Sequence, residues 1–309
     1  MKILWVKNDF LHPTTRGGQI RTLEMLRRLH ARHEIHYVAF EDPEYPQAVT
    51  LSSEYCSHAY PVPKRIAPKR SAAFAGQLVG GFFSSLPVAI SRYRSAEMMR
   101  TIDMLRDRER FDTIVCDFLT CAPNIRRLED CVLFQHNVET VIWERHARNA
   151  PDPLRKFYFG LQARRMLAYE RHVCRSVARV VAVSDADAEW MRSRFEAPHT
   201  TAIPTGVNLE YFSPPVSSPP AADLIFVGSM DWLANIDGVR YLVKEILPLI
   251  RRRRPNCSLA IVGRNPTPEI QALARQDPRI QVTGTVADIR PYLWAVSYTH
   301  LTLPTILRV

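Results

Sequence analysis

Residues 1–40 read MKILWVKNDFLHPTTRGGQIRTLEMLRRLHARHEIHYVAF, and this stretch decides the fold class. Lys2 to Val6 and Glu34 to Phe40 are short apolar runs of the kind that form strands. Between them, the stretch from Gly17 to His33 predicts a helix, because apolar residues recur on one face: Ile20, Leu23, Leu26 and Leu29. A strand, a helix and a second strand form a right-handed crossover between parallel strands. The N-terminal stretch therefore predicts a parallel α/β sheet.

The same alternation continues as far as residue 195. Further strands are predicted at Thr113–Asp117, Cys131–Gln135 and Arg179–Ser184. Further helices are predicted at Ser95–Arg108, Leu154–Cys174 and Asp185–Phe195. Strands that alternate with helices are typical of an open parallel sheet covered by its crossover helices.

A proline-rich segment then divides the chain. Residues 213–220 read SPPVSSPP, which is a linker composition. Beyond it the alternation restarts with strands at Asp223–Val227, Ser258–Val262 and Ile280–Thr283, and with helices at Asp237–Arg253 and Pro268–Arg275. We therefore expect a Rossmann-like N-terminal domain over residues 1–212, a linker over 213–222 and a second, partial domain of the same α/β class over 223–295.

The composition is that of a globular protein with an excess of basic residues. The 309 residues are 46% hydrophobic and 23% charged, with a net charge of +10 and a pI near 9.5. A basic chain favours anionic partners, which include nucleic acid, phosphorylated metabolites and anionic membranes. No helix-turn-helix, zinc-finger spacing or aromatic RNA-binding motif is present, so nucleic acid is not expected as a partner.

The six cysteines form no C-x-x-C pair, and no paired histidine spacing accompanies them. We therefore expect neither a metal nor another resident cofactor, and the pattern suits a reducing cytoplasm. The N-terminus has an apolar core of only Ile3 to Val6, which is too short for a signal peptide. These observations predict a cytoplasmic protein.

Glycines and a histidine lie where ligands of open α/β sheets bind. Gly17 and Gly18 precede the first helix, whose N-terminus attracts anions. His136 follows a strand, and an imidazole there can exchange protons with a sugar hydroxyl or donate to it. The alternatives are a plain tight turn for the glycines and a structural histidine that caps the next segment.

Two further pairs follow strands of the second domain: Gly228 with Ser229, and Gly263 with Arg264. A guanidinium meets phosphate oxygens with paired donors, so Arg264 is a candidate ligand of a diphosphate. The alternative is an arginine in a surface loop.

Several stretches together resemble the family-4 retaining glycosyltransferases of the GT-B fold. They are FVGSMDW (226–232), EILPLIR (245–251), IVGR (261–264), VTGTVADIRPYL (282–293), VAVSDADAEWM (181–191) and IPTGVNLEYFSP (203–214). The glycine loop at residues 17 and 18 and FQHNVE (134–139) fit the acceptor side of the same family. The resemblance covers residues 1–295, and the stretch FVGSMDWLANIDGVRYL (226–242) resembles bacterial members associated with exopolysaccharide and protein-sorting systems.

The resemblance implies transfer of a sugar from a nucleotide diphosphate sugar to a polysaccharide or lipid-linked acceptor, with retention of anomeric configuration. It implies two Rossmann-like domains facing each other across a cleft, with the acceptor on the N-terminal one and the donor on the C-terminal one. By the same analogy Gly18 contacts the donor phosphates, His136 the transferred sugar and Arg264 the diphosphate. No metal is implied, since positive side chains and helix dipoles neutralise the leaving group.

The chain departs from the family pattern in two places. Met230 stands where many relatives carry an arginine, and the glycine-rich loop and paired glutamates expected after Leu293 are absent. The chain instead ends WAVSYTHLTLPTILRV (294–309), so we expect residues 296–309 to be a non-native tail and the second domain to be incomplete. An inactive truncated fragment is therefore the alternative to an active transferase.

A basic run also precedes an apolar stripe. Lys64, Arg65, Lys69 and Arg70 come before Phe74, Leu78 and Phe82, which recur at four-residue spacing. This pattern predicts peripheral contact with an anionic bilayer. The alternative is that the stripe packs on the N-terminal domain.

Overall fold

The computed structural model describes residues 1–63, 84–213 and 222–296, together with Gly76, Gly80 and Gly81. The chain divides into two compact units, Met1–Gly206 (unit 1) and Val207–Val309 (unit 2). The basic run and apolar stripe, most of the expected linker and nearly all of the expected tail lie outside the described residues.

Unit 1 contains a seven-stranded parallel sheet in the order β3-β2-β1-β4-β5-β6-β7. The strands are β1 Lys2–Val6, β2 Glu34–Phe40, β3 His58–Val62, β4 Thr113–Asp117, β5 Cys131–Phe134, β6 Arg179–Ala182 and β7 Thr200–Ala202. The prediction of an open parallel sheet is confirmed, and β1, β2 and β4 have the predicted bounds.

Both faces of this sheet are covered. Leu4 and Val6 point into one apolar cluster, while Ile3 and Trp5 point into a second cluster on the other face. Successive side chains of a strand alternate between faces, so burial of both sets requires helices on both sides. Each such buried aliphatic side chain contributes about 1.5–3 kcal/mol relative to an exposed one.

Three of the longer helices of unit 1, Ala96–Arg108, Pro153–Ser176 and Asp185–Phe195, begin after a capping side chain. Asp152 accepts a hydrogen bond from the amide of Arg155 at 2.8 Å, and Ser184 accepts one from the amide of Asp187 at 3.1 Å. The helices of two turns or more are Gly17–His30, Ala96–Arg108, Glu139–Arg148, Pro153–Ser176 and Asp185–Phe195. The first helix ends at His30, three residues before the predicted end at His33.

Strands β3 and β7 and the helix Glu139–Arg148 are not predicted from the sequence. Strand β3 contains Pro61, which cannot donate to a sheet ladder and is therefore unfavourable inside a sheet. The strand is tolerated because, among the described residues, β3 lies at the sheet edge and pairs with β2 alone. Strand β7 is only three residues long and occupies the opposite edge.

Unit 2 has a three-stranded parallel sheet in the order β10-β9-β8, formed by β8 Leu224–Val227, β9 Leu259–Val262 and β10 Ile280–Val282. Its helical segments are Leu209–Phe212, Leu233–Tyr241, Leu242–Ile246, Leu247–Arg251, Pro268–Gln276 and Arg290–Trp294. The helix predicted from Asp237 begins at Leu233. Residues 242–246 are π-helical just before Pro248, because proline lacks the amide that would continue the α-helical ladder.

The division between the units falls before Val207, whereas the sequence places it after Phe212. The short helix Leu209–Phe212 belongs with unit 2, because Arg290 and Trp294 each donate to one of its backbone carbonyls at 3.4 Å. Within the described part of the chain, no helix combines the length and apolar character that a membrane crossing requires.

Candidate functional site

The strand order of unit 1 creates a crevice beside β1. Strand β1 pairs with β2 on one side and with β4 on the other, so the chain winds away from it in two directions. Ligands of open α/β sheets bind at the carboxyl ends of the strands next to such a reversal. Lys7 follows β1, Asp117 ends β4, and His136 follows β5 at this edge.

Asp117 is the centre of a buried polar cluster. Its Oδ2 accepts hydrogen bonds from the indole of Trp5 at 3.0 Å, from Nζ of Lys7 at 2.9 Å and from the hydroxyl of Thr22 at 2.8 Å. Its Oδ1 lies 2.7 Å from Nε2 of His136. We call these five residues the Asp117 cluster. Four donors around one carboxylate are the arrangement that a buried negative charge requires.

The charges of the cluster are held out of water. The Lys7 side chain is 2% exposed and that of Asp117 is fully buried. Burial alone raises the pKa of Asp117, but the ammonium of Lys7 and the hydrogen bond from His136 outweigh it and hold the pKa well below its usual range. Burial lowers the pKa of His136, against the opposing effect of the Asp117 carboxylate. At neutral pH the cluster therefore contains a lysine–aspartate ion pair and a neutral imidazole.

Asp117 also selects the tautomer of His136. A carboxylate is an acceptor only, so the neutral ring carries its proton on Nε2 and donates it to Oδ1. Nδ1 is then left as a hydrogen-bond acceptor. It lies 3.8 Å from the position that a Cβ on Gly18 would occupy, so it faces the N-terminus of the helix Gly17–His30.

His136 does not cap the helix that follows it. Glu170, from the helix Pro153–Ser176, accepts hydrogen bonds from the amides of Glu139 and Thr140 at 2.9 and 2.7 Å. The same carboxylate accepts a bond from the amide group of Gln135 at 2.6 Å. Glu170 thus holds both ends of the loop that carries His136, and the capping interpretation of this histidine is wrong.

Phe118 has a strained backbone conformation, and its ring contacts both Lys7 and His136. Its φ is +83°, a value that bulky residues rarely adopt. In this conformation its ring stacks on His136 with centroids 3.9 Å apart, and Nζ of Lys7 lies 4.5 Å from its centroid. A Cβ on Gly18 would lie 2.8 Å from the Phe118 ring, so glycine is needed there for the close approach. A Cβ on Gly17 would have no atom within 4 Å among the described residues, so close packing does not require glycine at that position.

Arg21 brings a second cation to this edge. Its guanidinium lies 4.7 Å from the ring of Phe134, which in turn lies 4.5 Å from the His136 ring. One terminal nitrogen donates to the carbonyl of Ile203. The other, Nη1, is buried and has no hydrogen-bond partner among the described residues. A buried donor without a partner is costly unless a ligand satisfies it.

In unit 2 the two pairs singled out from the sequence, Gly228 with Ser229 and Gly263 with Arg264, lie together at the carboxyl ends of β8 and β9. The amide of Gly228 donates to the carbonyl of Val262 at 3.0 Å. A Cβ on Gly263 would stand 1.7 Å from the carbonyl oxygen of Gly228, so only glycine allows the two strand ends to approach this closely. Gly228 and Gly263 therefore bring the residues that follow them, Ser229 and Arg264, side by side.

Arg264 is held by polar neighbours in the same loop. Its Nε donates to the hydroxyl of Ser229 at 2.8 Å, and its Nη2 lies 3.5 Å from a carboxylate oxygen of Asp231. The Asp231 carboxylate also accepts a hydrogen bond from Ser229. The side chain of Arg264 is partly exposed, so an anion can reach the guanidinium in competition with Asp231.

Sequence reasoning therefore located one member of the Asp117 cluster, His136, and the glycine beside it. It identified Asp117 only as the end of a strand and did not single out Lys7, Thr22 or Arg21. The available signal was a charged residue directly after an apolar run, at Lys7 and at Asp117. Position in sequence alone does not show that these residues share one site.

Comparison with known proteins gives matches over both units. The model of Glycosyltransferase Family 4 matches residues 15–211, and that of the Glycosyl transferases group 1 matches residues 221–304. No curated protein matches the chain.

Among solved structures, a point mutant of S. aureus TarM in complex with fondaparinux, α-GlcNAc-glycerol and UDP superposes with a TM-score of 0.58. It is 9% identical and the match covers 96% of this chain and 79% of that one. A further TarM structure matches at a TM-score of 0.51 and 9% identity, over 96% of this chain and 78% of the other. These likenesses support the expected α/β, GT-B class of fold. Because its family model spans residues 15–211, this chain belongs to glycosyltransferase family 4 and is a glycosyltransferase.

Proposed function

We propose that this glycosyltransferase moves a sugar from a nucleotide diphosphate sugar to a polysaccharide or lipid-linked glycan acceptor, with retention of anomeric configuration. The observation that carries the proposal is the Asp117 cluster, a buried, hydrogen-bonded set of side chains at the ligand-binding edge of unit 1 that leaves Nδ1 of His136 open to a ligand. Folding alone does not explain this cluster, because a buried lysine–aspartate pair rarely gives more stability than apolar packing.

In this proposal His136 contacts a hydroxyl of the transferred sugar. The ring is neutral and its Nε2 proton is engaged by Asp117, so Nδ1 accepts a hydrogen bond from the hydroxyl. This refines the expectation that the imidazole donates to the sugar or exchanges a proton with it. Asp117 and Lys7 act as positioning residues, because they fix the ring and its tautomer.

Unit 2 supplies the proposed diphosphate site. Arg264 offers a planar set of donors at the carboxyl ends of β8 and β9, and Ser229 lies beside it with a hydroxyl. The glycines at 228 and 263 leave the strand ends free of side chains, so a ligand can approach the backbone. The positive charge for the leaving diphosphate comes from Arg264 and from helix N-termini, and the proposal includes no catalytic metal. The TarM complex named above contains UDP, which supports a nucleotide diphosphate as the ligand class.

Nucleotide binding is the first test. We expect calorimetric binding of at least one nucleoside diphosphate from a panel of UDP, GDP and ADP. Arg264→Ala is expected to weaken that binding by about 1.5–3 kcal/mol, the range for a hydrogen bond to a charged group. The matched control is Arg275→Ala, which removes the same charge from an exposed position in the helix Pro268–Gln276. Equal affinities of the two variants would remove Arg264 from the site.

Turnover is the second test. The chain is incubated with a panel of nucleotide sugars and with glycan or lipid-linked acceptors, and released nucleotide and product anomer are measured. His136→Gln is expected to lose about 1–3 kcal/mol of transition-state stabilisation while keeping nucleotide affinity. Nucleotide binding without turnover on any acceptor would favour the alternative function, an inactive chain that retains partial nucleotide binding. Absence of nucleotide binding would contradict the proposal.

The proposed location is the cytoplasm, with peripheral contact at the inner face of the membrane for a lipid-linked acceptor. Support for that contact comes from the basic run and apolar stripe in the sequence. Flotation with anionic vesicles at low salt tests it, and no binding under those conditions would rule the contact out.

A further inference from the structure

A second cluster of polar side chains lies at the amino-terminal ends of β2 and β3, whereas the Asp117 cluster lies at the carboxyl ends of the strands of unit 1. Glu34 begins β2, and His36 follows on the same face because strand side chains repeat every two residues. His58 begins β3 and is the direct cross-strand partner of His36. The register brings three possible metal ligands, one atom from each residue, within 4.8 Å of one another.

Three distances within this cluster are close to those between the ligands of a tetrahedral metal site. Nε2 of His36 lies 2.9 Å from Oε1 of Glu34, and Nε2 of His58 lies 3.7 Å from the same oxygen. Oε2 of Glu109, which follows the helix Ala96–Arg108, lies 3.5 Å from Nε2 of His36. Ligands about 2.0–2.1 Å from a tetrahedral zinc ion are separated by about 3.3 Å. The three distances scatter around that value.

The buried histidine is already oriented as a metal ligand. Nδ1 of His36 lies 2.9 Å from the hydroxyl of Tyr60, so Nε2 is the nitrogen that faces the carboxylates. Metal-binding histidines are usually fixed in this way by a hydrogen bond at the other ring nitrogen. The ring of Phe111 packs edge-on against His36 at 5.1 Å and holds its plane.

A positive charge already occupies the space between the two carboxylates. Nζ of Lys2 lies 2.6 Å from Glu109 and 3.2 Å from Glu34. The Lys2 side chain is long and partly exposed, and it can leave when another cation enters.

We infer that unit 1 carries a structural Zn²⁺ site formed by Glu34, His36 and His58, with Glu109 in the fourth position. Two imidazoles with carboxylates suit zinc rather than calcium or magnesium. The ion joins the edge strand β3 to β2 and to the end of the helix Ala96–Arg108. The site lies at the opposite ends of the strands from the Asp117 cluster, so it has no part in sugar transfer. The expectation of no metal, drawn from cysteine and histidine spacing, is revised for this site.

Zinc binding to the full chain, purified without a polyhistidine tag, tests the inference. Calorimetry is expected to show one Zn²⁺ per chain, and Co²⁺ is expected to give the visible absorption bands of a tetrahedral site. His58→Ala, at an exposed position, is expected to weaken Zn²⁺ binding at least about tenfold, and Tyr60→Phe about tenfold through loss of the orienting hydroxyl. The control is His172→Ala, which removes an exposed histidine from the helix Pro153–Ser176.

Lys2→Met provides a test in the other direction. It removes the competing ammonium and keeps most of the side-chain length, so Zn²⁺ affinity is expected to rise severalfold. Absence of Zn²⁺ binding by the full chain, unchanged affinity in His58→Ala, or weaker binding in Lys2→Met would overturn the inference. Nucleotide binding is expected to be the same in His58→Ala as in the full chain, so this result is independent of the proposed function.

Discussion

Replacement of Asp117 by asparagine is expected to change stability and activity for two separable reasons. Asparagine keeps the shape of the side chain but removes the charge that pairs with Lys7 at 2.9 Å. It also replaces one carboxylate oxygen by an amide donor. If the remaining oxygen accepts the hydrogen bonds from Trp5, Lys7 and Thr22, the new amide group faces Nε2 of His136. Because both groups would then be donors, the ring must move its proton to Nδ1.

The structure gives the size of the stability effect. Two unit charges at the Lys7–Asp117 distance attract by about 6 kcal/mol at an effective dielectric constant of about 20. Desolvation opposes most of this energy while both partners are present. Removal of one partner leaves a buried, unpaired charge and costs about 3–5 kcal/mol. We therefore expect Asp117→Asn to lower the free energy of unfolding by that amount. Lys7→Met in the same chain removes the stranded charge and is expected to restore about 2 kcal/mol or more.

Urea denaturation followed by circular dichroism measures the stability of the two single variants and the double variant. Transferase turnover is measured on the same samples. The double variant is expected to recover stability but not turnover, because Nδ1 of His136 remains a donor and no longer accepts from the sugar. A coupling energy between Lys7 and Asp117 below about 1 kcal/mol would refute the ion-pair argument. Recovery of full turnover in the double variant would refute the tautomer argument.

Three further predictions concern single positions. Gly18→Ala is expected to destabilise unit 1 by about 1–3 kcal/mol, because its Cβ would lie 2.8 Å from the Phe118 ring; unchanged stability in urea would contradict this. Asp231→Asn is expected to strengthen nucleoside diphosphate binding up to about fivefold, because it removes the carboxylate that competes for Arg264. Weaker binding of the variant in calorimetry would contradict this. The pKa of His136 is lowered by folding, so the unfolded chain takes up this proton first as pH falls below about 6.5, and the folded state becomes less stable. His136→Gln is therefore expected to lose less unfolding free energy between pH 7.5 and 5.5 than the unchanged chain. An equal loss in both proteins would argue against this prediction.

The strands of unit 1 were predictable where the pattern was local. Lys2–Val6, Glu34–Phe40 and Thr113–Asp117 are short, mainly apolar runs, and the structure contains them with the same bounds. Strand β3 was not predictable in the same way, because Pro61 and His58 are unfavourable in an interior strand. Its formation depends on β2, whose free edge supplies every partner that it needs.

The candidate site was predictable only as separate residues. His136 was singled out because it ends a strand, and Gly18 because it begins a helix. Their proximity follows from the sheet order and from the strained backbone of Phe118: a Cβ on Gly18 would lie 3.8 Å from Nδ1 of the imidazole. Strain of that kind leaves no signal in a sequence, since phenylalanine is ordinarily found in unstrained conformations.

Local sequence patterns specify the α/β class, the two α/β units and the positions where strands end, because hydrophobic periodicity and turn residues act over a few neighbours. Which of those strand ends meet depends on long-range packing. The crossovers place β4 beside β1, and so bring the carboxylate of Asp117 to Lys7. The register of β2 against β3 likewise brings His58 to His36. Charged groups far apart in the chain share one site only when backbone pairing, set by the burial of both sheet faces, fixes the register.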